Sequence, residues 1–215
     1  MNTGRIQPIA LEERDLEDGR MHSPSAERNR AVIFDALNPY LIEGAQVFEI
    51  ASGTGQHAHL CVTQRRDISW QPSDPDAQSR SSIDSWARST DGRMKPCLDV
   101  DVMEPDWSDG LGSFDTVFCS NMIHIAPFDA AIGSLKGGAA LLREGGHFHF
   151  YGPFKEDDAT APSNLQFDQS LKSRDHRWGV RDLNEIISLA EQSGLELIAR
   201  RDMPANNLFV SFRKI

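Results

Sequence analysis

The chain has 215 residues, and its 22 Lys and Arg against 32 Asp and Glu give a formal net charge of −10 at pH 7. This length predicts one domain with a sizeable core, and the acidity argues against duplex nucleic acid or an anionic membrane surface as a partner. The sequence lacks an apolar run of about 18 residues, which a membrane-spanning helix would need, and lacks a secretory signal. Three well-separated cysteines argue against a disulfide framework, so we expect a cytoplasmic protein.

The polar, weakly periodic residues 1–22 are interpreted as an N-terminal arm, and residues 23–215 as the domain. Ser23 followed by Pro24 predicts the start of a helix, because serine caps helices and proline suits their first turn. Apolar residues then recur at spacings of three and four, which predicts an amphipathic helix that Asn38-Pro39 ends or kinks. These apolar positions are Ile33, Phe34, Leu37 and Leu41.

Strand and helix patterns alternate along the rest of the chain. Predicted strands cover 46–50, 68–72, 97–100, 114–120, 147–151, 195–199 and 208–212, and predicted helices begin near 56, 77, 128 and 182. The helix near 128 has an apolar stripe that includes Ile132 and Leu142, and Gly145-Gly146 is expected to end it. The alternation predicts an α/β fold, a doubly wound parallel sheet with helices on both faces. In such sheets ligands bind beyond the carboxyl ends of the strands.

The loop after the strand at 46–50 contains Gly53-Thr54-Gly55. Two glycines let a ligand approach the main chain closely, and with Ala58 they match a dinucleotide fingerprint that is weak alone. Glu49 at the end of this strand would repel a pyrophosphate and attract a cation. Asp74, after the next strand, is placed to accept the hydroxyls of an adenosine ribose. Asp99, near the end of the strand predicted at 97–100, would face the adenine amino group.

Three acids at the ends of three neighbouring strands describe a site for a positively charged nucleoside without phosphate. S-adenosylmethionine has a sulfonium and an ammonium group and fits this description better than NAD, so we expect it as the cofactor. An NAD-dependent oxidoreductase is the residual alternative. The structural alternative is that these acids are solvated loop residues or helix caps.

Several long segments of unusual sequence point to one family. They are 23–29, 49–57, 70–76, 121–127, 151–154, 178–182 and 203–207. On these segments the chain resembles class I S-adenosylmethionine-dependent methyltransferases and, within them, the DUF938 group, also called methyltransferase-like protein 26. The resemblance implies a Rossmann-like, seven-stranded sheet with an antiparallel last strand and places Asp74 at the cofactor ribose. It implies no particular substrate.

Two features depart from the usual pattern of this superfamily. Ala51 stands where glycine is usual, which is tolerated if its φ angle stays negative. The arm before Ser23 is longer than the usual start of the group. Since an N-terminal segment often closes over the cofactor in this fold, we expect the arm to act as a lid that sets specificity.

The residues expected to contact the cofactor follow the strand ends and the first helix. They are Arg28, Asn29, Glu49, Ala51, Ser52, Gly53, Gly55, His57, Asp74, Asp99, Val100 and Asn121. Arg28 and Asn29 would bind the carboxylate of the cofactor or of an acidic substrate, unless they belong to a solvated helix face. No metal site is expected, because no carboxylate spacing accompanies the strand histidines His147 and His149.

Asn121, His124 and Tyr151 are the candidate catalytic residues, since the segment that begins at Asn121 faces the reacting methyl group in this fold. His124 is a candidate general base. Tyr151 would offer its ring to the sulfonium or its hydroxyl to the substrate. The alternative is that His124 and Tyr151 are structural residues without a catalytic role. The residues expected at the acceptor pocket are Ser163, Asn164, Phe167, Asp168 and Arg181.

Three functions fit these patterns. The first is a class I methyltransferase that acts on a small-molecule acceptor. The second is an enzyme whose substrate is S-adenosylmethionine itself, cyclised to azetidine-2-carboxylate with release of methylthioadenosine as in azetidine synthases; the unusual arm motivates it. The third is a non-catalytic S-adenosylmethionine-binding protein. The sequence leaves the oligomeric state open.

Overall fold

The computed structural model describes residues 12–215, so residues 1–11 of the predicted arm lie outside the described part. The rest of the arm forms an antiparallel hairpin of β1 (Asp15–Glu17) and β2 (Arg20–His22). The helices that follow are α1 (Pro24–Leu37), α2 (Gln56–Gln64), α3 (Ala77–Ala87), α4 (Phe128–Leu141), α5 (Pro162–Arg174) and α6 (Leu183–Gln192). The strands are β3 (Gln46–Ile50), β4 (Ser69–Pro72), β5 (Phe114–Ser120), β6 (Leu142–Lys155), β7 (Arg181–Asp182), β8 (Leu195–Met203) and β9 (Asn207–Lys214).

One seven-stranded sheet forms the centre of the domain. Its order is β4-β3-β5-β6-β9-β8, and the short β7 pairs with β6. Strands β4, β3, β5 and β6 run parallel, whereas β9 is antiparallel to both β6 and β8. The predicted α/β sheet with an antiparallel last strand is confirmed. The chain leaves β3 first for β4 and then crosses to β5, so the strand order reverses at β3.

Apolar side chains cover both faces of the sheet, because successive residues of a strand point to opposite faces. In β3, Phe48 belongs to a buried cluster with Leu135 of α4, whereas Val47 belongs to a second cluster with Ile33 of α1 and Ile83 of α3. The predicted cap is also observed: the Ser23 hydroxyl accepts the N–H of Ala26 at 3.1 Å and starts α1. None of the helices within residues 12–215 is long and apolar enough to cross a membrane.

The predicted strand at 97–100 is wrong. The chain runs beside β4 from Arg93 to Leu98 but makes only two isolated bridges, Trp70 to Met94 and Ser73 to Leu98. Pro96 interrupts this segment, and proline has no N–H to donate to a ladder. The seventh strand of the sheet is instead β7, a two-residue strand that the sequence pattern did not reveal.

Two details near α4 also differ from prediction. The helix ends at Leu141, and Gly145-Gly146 lies within β6, where the register to β5 shifts between the pairs at Phe114 and Thr116. The glycines therefore form an irregularity at the start of a strand rather than a helix end. Ile132 was expected to face inward but is 39% exposed. Helix α5 was not predicted, because its sequence is mostly polar and buries only three residues.

Candidate functional site

A cavity of about 1170 Å³ opens at the carboxyl ends of β3, β4, β5 and β6. Its floor lies at the point where the strand order reverses, as expected for an open α/β sheet. One part, here called the glycine-loop half, is lined from residues 50–57, 74–79 and 100–103. The other part, the aromatic half, is lined from residues 121–127, 151–178 and 204–207. Helix α1 and residues 12–16 of the arm also line the cavity.

The glycine loop takes a left-handed course. The φ angles of Ala51, Gly53 and Gly55 are +53°, +60° and +91°. The condition under which alanine is tolerated here, a negative φ at Ala51, is therefore not met, and a non-glycine residue in this region is strained by about 1–2 kcal/mol. A Cβ atom on Gly53 would meet no other atom within 4 Å, whereas one on Gly55 would lie 3.1 Å from Cα of Ile83. Gly53 lines the cavity, and Gly55 allows α3 to pack against the loop.

Asp74 joins the loops that follow β3 and β4. Its Oδ2 accepts the backbone N–H of Gly53 at 2.9 Å, and its Oδ1 accepts that of Asp76 at 2.9 Å. The side chain lines the cavity but is only 5% exposed, and this burial raises its pKa to about 6. Each carboxylate oxygen has a further lone pair. Asp74 is thus positioned in the wall to accept hydrogen bonds from a ligand.

The other two predicted acids are not in the cavity wall. Glu49 is fully buried beneath the loop, where its Oε2 accepts the indole N–H of Trp70 at 2.9 Å and burial raises its pKa to about 7. Asp99 forms an ion pair with Arg80 at 3.1 Å. Its neighbours Val100 and Asp101 line the cavity instead. Asp101 was missed, because it lies two residues beyond Asp99 and the sequence does not show which of the two faces the cavity.

A polar network connects the two halves of the cavity. Nε2 of His57 lies 2.8 Å from Oδ1 of Asn29, and the Tyr151 hydroxyl interacts with Asn29 and accepts from Nδ2 of Asn207 at 3.1 Å. All four side chains line the cavity, as does Arg28, which donates to the Ser25 hydroxyl. Burial lowers the pKa of His57 to about 4, so the network is neutral at pH 7.

The wall around His124 is held from behind by Arg181. The guanidinium donates to the carbonyl oxygens of Ile123 at 2.8 Å and Ala126 at 2.6 Å. The imidazole is fully buried, with Nδ1 accepting the backbone N–H of Arg181 at 3.4 Å. Burial together with the nearby guanidinium lowers the pKa of His124 to about 3. Arg181 itself is outside the cavity lining and has a positioning role.

The start of α5 supplies part of the aromatic half. Ser163, Asn164 and Phe167 line it, and Nδ2 of Asn164 donates to the carbonyl oxygens of Phe154 and Asn206. Asp168 does not line it. Its carboxylate pairs with Lys155 and Lys172 and accepts the N–H of Val180 at 2.9 Å, which holds the segment that contains Trp178.

Charge is distributed unevenly between the two halves. Asp74, Asp76 and Asp101 line the glycine-loop half. Within residues 121–127, 151–178 and 204–207, the lining of the aromatic half contains no Asp, Glu, Lys or Arg. The arm and α1 add Glu12, Arg14 and Arg28 to the lining of the cavity as a whole. Groups of three or more His, Cys, Asp and Glu side chains suited to a metal ion are absent from residues 12–215.

Comparison with known proteins places the chain in a family. A family model described as "Protein of unknown function (DUF938)" matches residues 20–214. The chain belongs to the DUF938 family.

Three solved structures show the same fold as this DUF938 chain. An O-methyltransferase family protein from Burkholderia thailandensis matches with a TM-score of 0.71 and 16% identity, over 87% of this chain and 60% of the other. Human N-acetylserotonin methyltransferase, solved with S-adenosylmethionine, matches with a TM-score of 0.73 and 12% identity, over 88% of this chain and 52% of the other. An O-methyltransferase family 2 protein from Planctomyces limnophilus, solved with apigenin, matches with a TM-score of 0.73 and 16% identity, over 89% of this chain and 60% of the other. This chain therefore has the class I methyltransferase fold and spans between half and two thirds of the length of these proteins.

The DUF938 chain fastens its arm to the glycine loop through side chains that sequence reasoning missed. The Ser82 hydroxyl of α3 accepts the N–H of Met21 and donates to the carbonyl of Thr54, both at 2.8 Å. Oε1 of Gln56 accepts the N–H of Ser23 at 2.7 Å and the Thr54 hydroxyl at 2.9 Å. Polar residues on buried helix faces were the available signal, but their partners lie over 25 positions away in the chain.

Proposed function

We propose that this protein binds S-adenosylmethionine in the glycine-loop half of the cavity and transfers its methyl group to a small molecule in the aromatic half. The observation that carries the proposal is the contrast between the two halves of one continuous cavity. Three carboxylates line the glycine-loop half and suit a cationic nucleoside, whereas the aromatic half has neutral and aromatic walls that suit an organic acceptor.

The glycine-loop half fits the cofactor by its own geometry. Open space lies over Gly53, so a ligand can approach the main chain there as it cannot at a residue with a side chain. We assign the ribose hydroxyls to Asp74, whose oxygens retain acceptor capacity, and the cationic end of the ligand to the field of the cavity acids. We assign contacts with the base to Val100 and Asp101, which line the same half of the cavity.

S-adenosylmethionine supplies an activated methyl group on a sulfonium, so the protein has to align the acceptor and exclude water. The neutral network of His57, Asn29 and Tyr151 spans the junction between the halves and orients groups there without presenting a competing nucleophilic charge. Residues 12–22 of the arm, tied to α3 and Gln56, cover the cavity, which supports the lid function proposed for residues 1–22.

Two further observations favour methyl transfer to a second molecule over a reaction confined to the cofactor. The cavity of about 1170 Å³ exceeds the range of about 300–1000 Å³ that is usual for single small-molecule sites. The solved structures of the same fold are methyltransferases, and one of them was solved with apigenin.

Product analysis tests the proposal. The purified protein is incubated with S-adenosylmethionine, with and without a panel of small phenols, amines and carboxylic acids, and the nucleoside products are followed by mass spectrometry. We expect S-adenosylhomocysteine only when an acceptor is present. Methylthioadenosine and azetidine-2-carboxylate formed together without an acceptor, and faster than in a protein-free control, would establish the cyclisation instead. Cofactor binding without either product across the panel would favour a non-catalytic binding protein.

A further inference from the structure

Two buried N–H groups in the aromatic half have no hydrogen-bond partner among the described residues. They are Nε1 of Trp178 and Nε2 of His124. Both residues line this half of the cavity, and their side chains are almost fully buried, at 2% and 1% exposure. Buried polar side chains nearly always have a partner, so each exception in a cavity wall points to a group that arrives with a ligand.

The hydrogen-bond geometry identifies the His124 nitrogen as a donor. Nδ1 accepts the backbone N–H of Arg181, and a backbone N–H can only donate. The ring is neutral because its pKa is lowered to about 3, so its single proton is assigned to Nε2. An indole N–H is likewise only a donor. Both N–H groups therefore require a hydrogen-bond acceptor.

Among the indole N–H groups of the protein, the lack of an internal acceptor is specific to Trp178. The N–H of Trp70 donates to Glu49, that of Trp86 to the carbonyl of Met21 and that of Trp107 to the carbonyl of Gly133. These are all the remaining tryptophans of the chain, since it contains four. Trp178 is thus the one indole without an internal acceptor in the described structure, and it is the one that lines the cavity.

The backbone holds the two donors in a common wall. The N–H of Gly179, next to Trp178, donates to the carbonyl of His124 at 3.0 Å. Arg181 ties the same segment to Ile123 and Ala126. Ile125 and Phe167 pack against the cluster of Trp178 with Leu171 and Val180. Neither donor can leave the wall without breaking these contacts.

We infer that the aromatic half is a subsite for a ligand that presents a carbonyl or carboxylate oxygen to the N–H groups of Trp178 and His124. The inference rests on the proposed function, because it identifies this ligand as the methyl acceptor. An oxygen that accepts a hydrogen bond is a poorer nucleophile, so it serves for recognition, and the methyl group goes to another atom of the acceptor. His124 is then a hydrogen-bond donor rather than the general base that its position suggested.

The same oxygen chemistry has a second source, the methionine carboxylate of the cofactor. An NMR titration of ¹⁵N-labelled full-length protein distinguishes the two. The probes are acetophenone and benzoate, which present a carbonyl and a carboxylate, with benzylamine as a control that presents neither, and S-adenosylhomocysteine is added separately. The Trp178 indole peak is assigned by its loss in Trp178→Phe, and the indole peaks of Trp70, Trp86 and Trp107 are internal references.

We expect acetophenone or benzoate to move the Trp178 indole proton downfield at millimolar concentration while the three reference indoles stay in place, and benzylamine to leave it unmoved. Trp178→Phe and His124→Phe should each weaken binding of the effective probe about tenfold, as expected for loss of one hydrogen bond. The control Trp107→Phe, which alters an indole outside the cavity, should retain binding.

Three results would overturn the inference. A Trp178 peak that stays unmoved with both oxygen probes at about 50 mM, a concentration that covers the affinity of fragment-sized ligands, shows that no such subsite exists. An equal shift with benzylamine shows non-specific binding. A shift with S-adenosylhomocysteine that both probes fail to compete with assigns the donors to the cofactor. Failure of S-adenosylhomocysteine to bind at all, with the probe shift intact, would instead contradict the proposed function and leave the subsite standing.

Discussion

The carboxylate of Asp74 accepts the backbone N–H of Gly53 at 2.9 Å, and this bond joins the loops after β3 and β4 at the floor of the cavity. Its second oxygen holds the N–H of Asp76. One side chain therefore shapes the glycine loop and also contributes charge to the cavity wall. The site is arranged before any ligand binds, so less ordering has to occur during binding.

Asp74→Asn should weaken S-adenosylmethionine binding at least about tenfold, or about 1.4 kcal/mol. The amide keeps one acceptor oxygen, loses one of the two main-chain bonds and removes the charge that favours a cation. Isothermal titration calorimetry measures the change, with Asp35→Asn as the matched control, since Asp35 is exposed on α1 outside the cavity lining. Equal Kd values for the wild type and folded Asp74→Asn would show that the ribose lies elsewhere.

Glu49 should make stability depend on pH in a definite direction. Burial raises its pKa from 4.5 to about 7, so the folded state holds this proton more tightly than the unfolded state. The resulting stabilisation is complete below about pH 4.5 and is lost as pH rises through about 7. Glu49→Gln abolishes the titration and keeps an oxygen for the Trp70 indole.

The free energy of unfolding of the wild type relative to Glu49→Gln should therefore fall by up to about 3 kcal/mol between acidic and alkaline pH. Urea unfolding of both proteins at about pH 5 and about pH 8 gives this difference. Titrating groups that do not interact with Glu49 cancel in it. A difference that does not change with pH would mean that Glu49 is charged in the folded protein throughout this range.

Ala51→Gly should stabilise the protein by about 0.5–1 kcal/mol, because glycine adopts the φ of +53° without strain and loses part of that gain to unfolded-state entropy. Thermal and urea unfolding measure it. The same substitution at Ala140, an exposed residue of α4, should destabilise by about 0.5–1 kcal/mol, since glycine is unfavourable inside a helix. Destabilisation at both positions would contradict the strain assigned to Ala51.

Ser82→Ala should release the arm from α3. The Met21 amide loses its acceptor, and its hydrogen exchange should speed up about tenfold or more. The neighbouring exposed Ser81→Ala should leave that rate unchanged. If the arm is a lid, Ser82→Ala should also raise the Kd for S-adenosylmethionine. Unaltered exchange at Met21 would mean that Trp86 and Gln56 hold the arm without this hydroxyl.

The parts of the fold that the sequence predicts are those with strong local patterns. The buried run of β5, the cap at Ser23 and the helix that begins at Gln56 are observed as expected. The segment at 97–100 was misassigned because its apolar residues were given more weight than the missing N–H of Pro96. α5 was missed because it buries a few side chains under a polar surface, and an apolar period is absent from such a helix.

The residues of the site likewise include some that the sequence predicts and others that only the structure reveals. Asp74 follows from position alone, since the residue after a parallel strand must lie at the ligand edge of the sheet. Glu49 meets the same criterion, yet its side chain turns beneath the loop to Trp70, and backbone position does not determine that choice. Trp178 lies between α5 and β7, where no local pattern marks a wall residue, and its missing partner is visible only in three dimensions.

The aromatic half has one wall that Arg181 holds through main-chain contacts and another wall that consists of side chains of α5. The loop from Ile123 to Ala126 is bound through main-chain carbonyls, so the donors of His124 and Trp178 keep their places whatever the neighbouring side chains are. Ser163 and Phe167 line the cavity from α5 and contact their surroundings through side chains: the Ser163 hydroxyl accepts a hydrogen bond from Nδ2 of Asn206 at 2.8 Å, and Phe167 packs against the Trp178 cluster. Substitutions on α5 can thus widen or narrow the range of accepted molecules while the anchoring oxygen is recognised in the same way, which separates the choice of ligand shape from the choice of ligand chemistry.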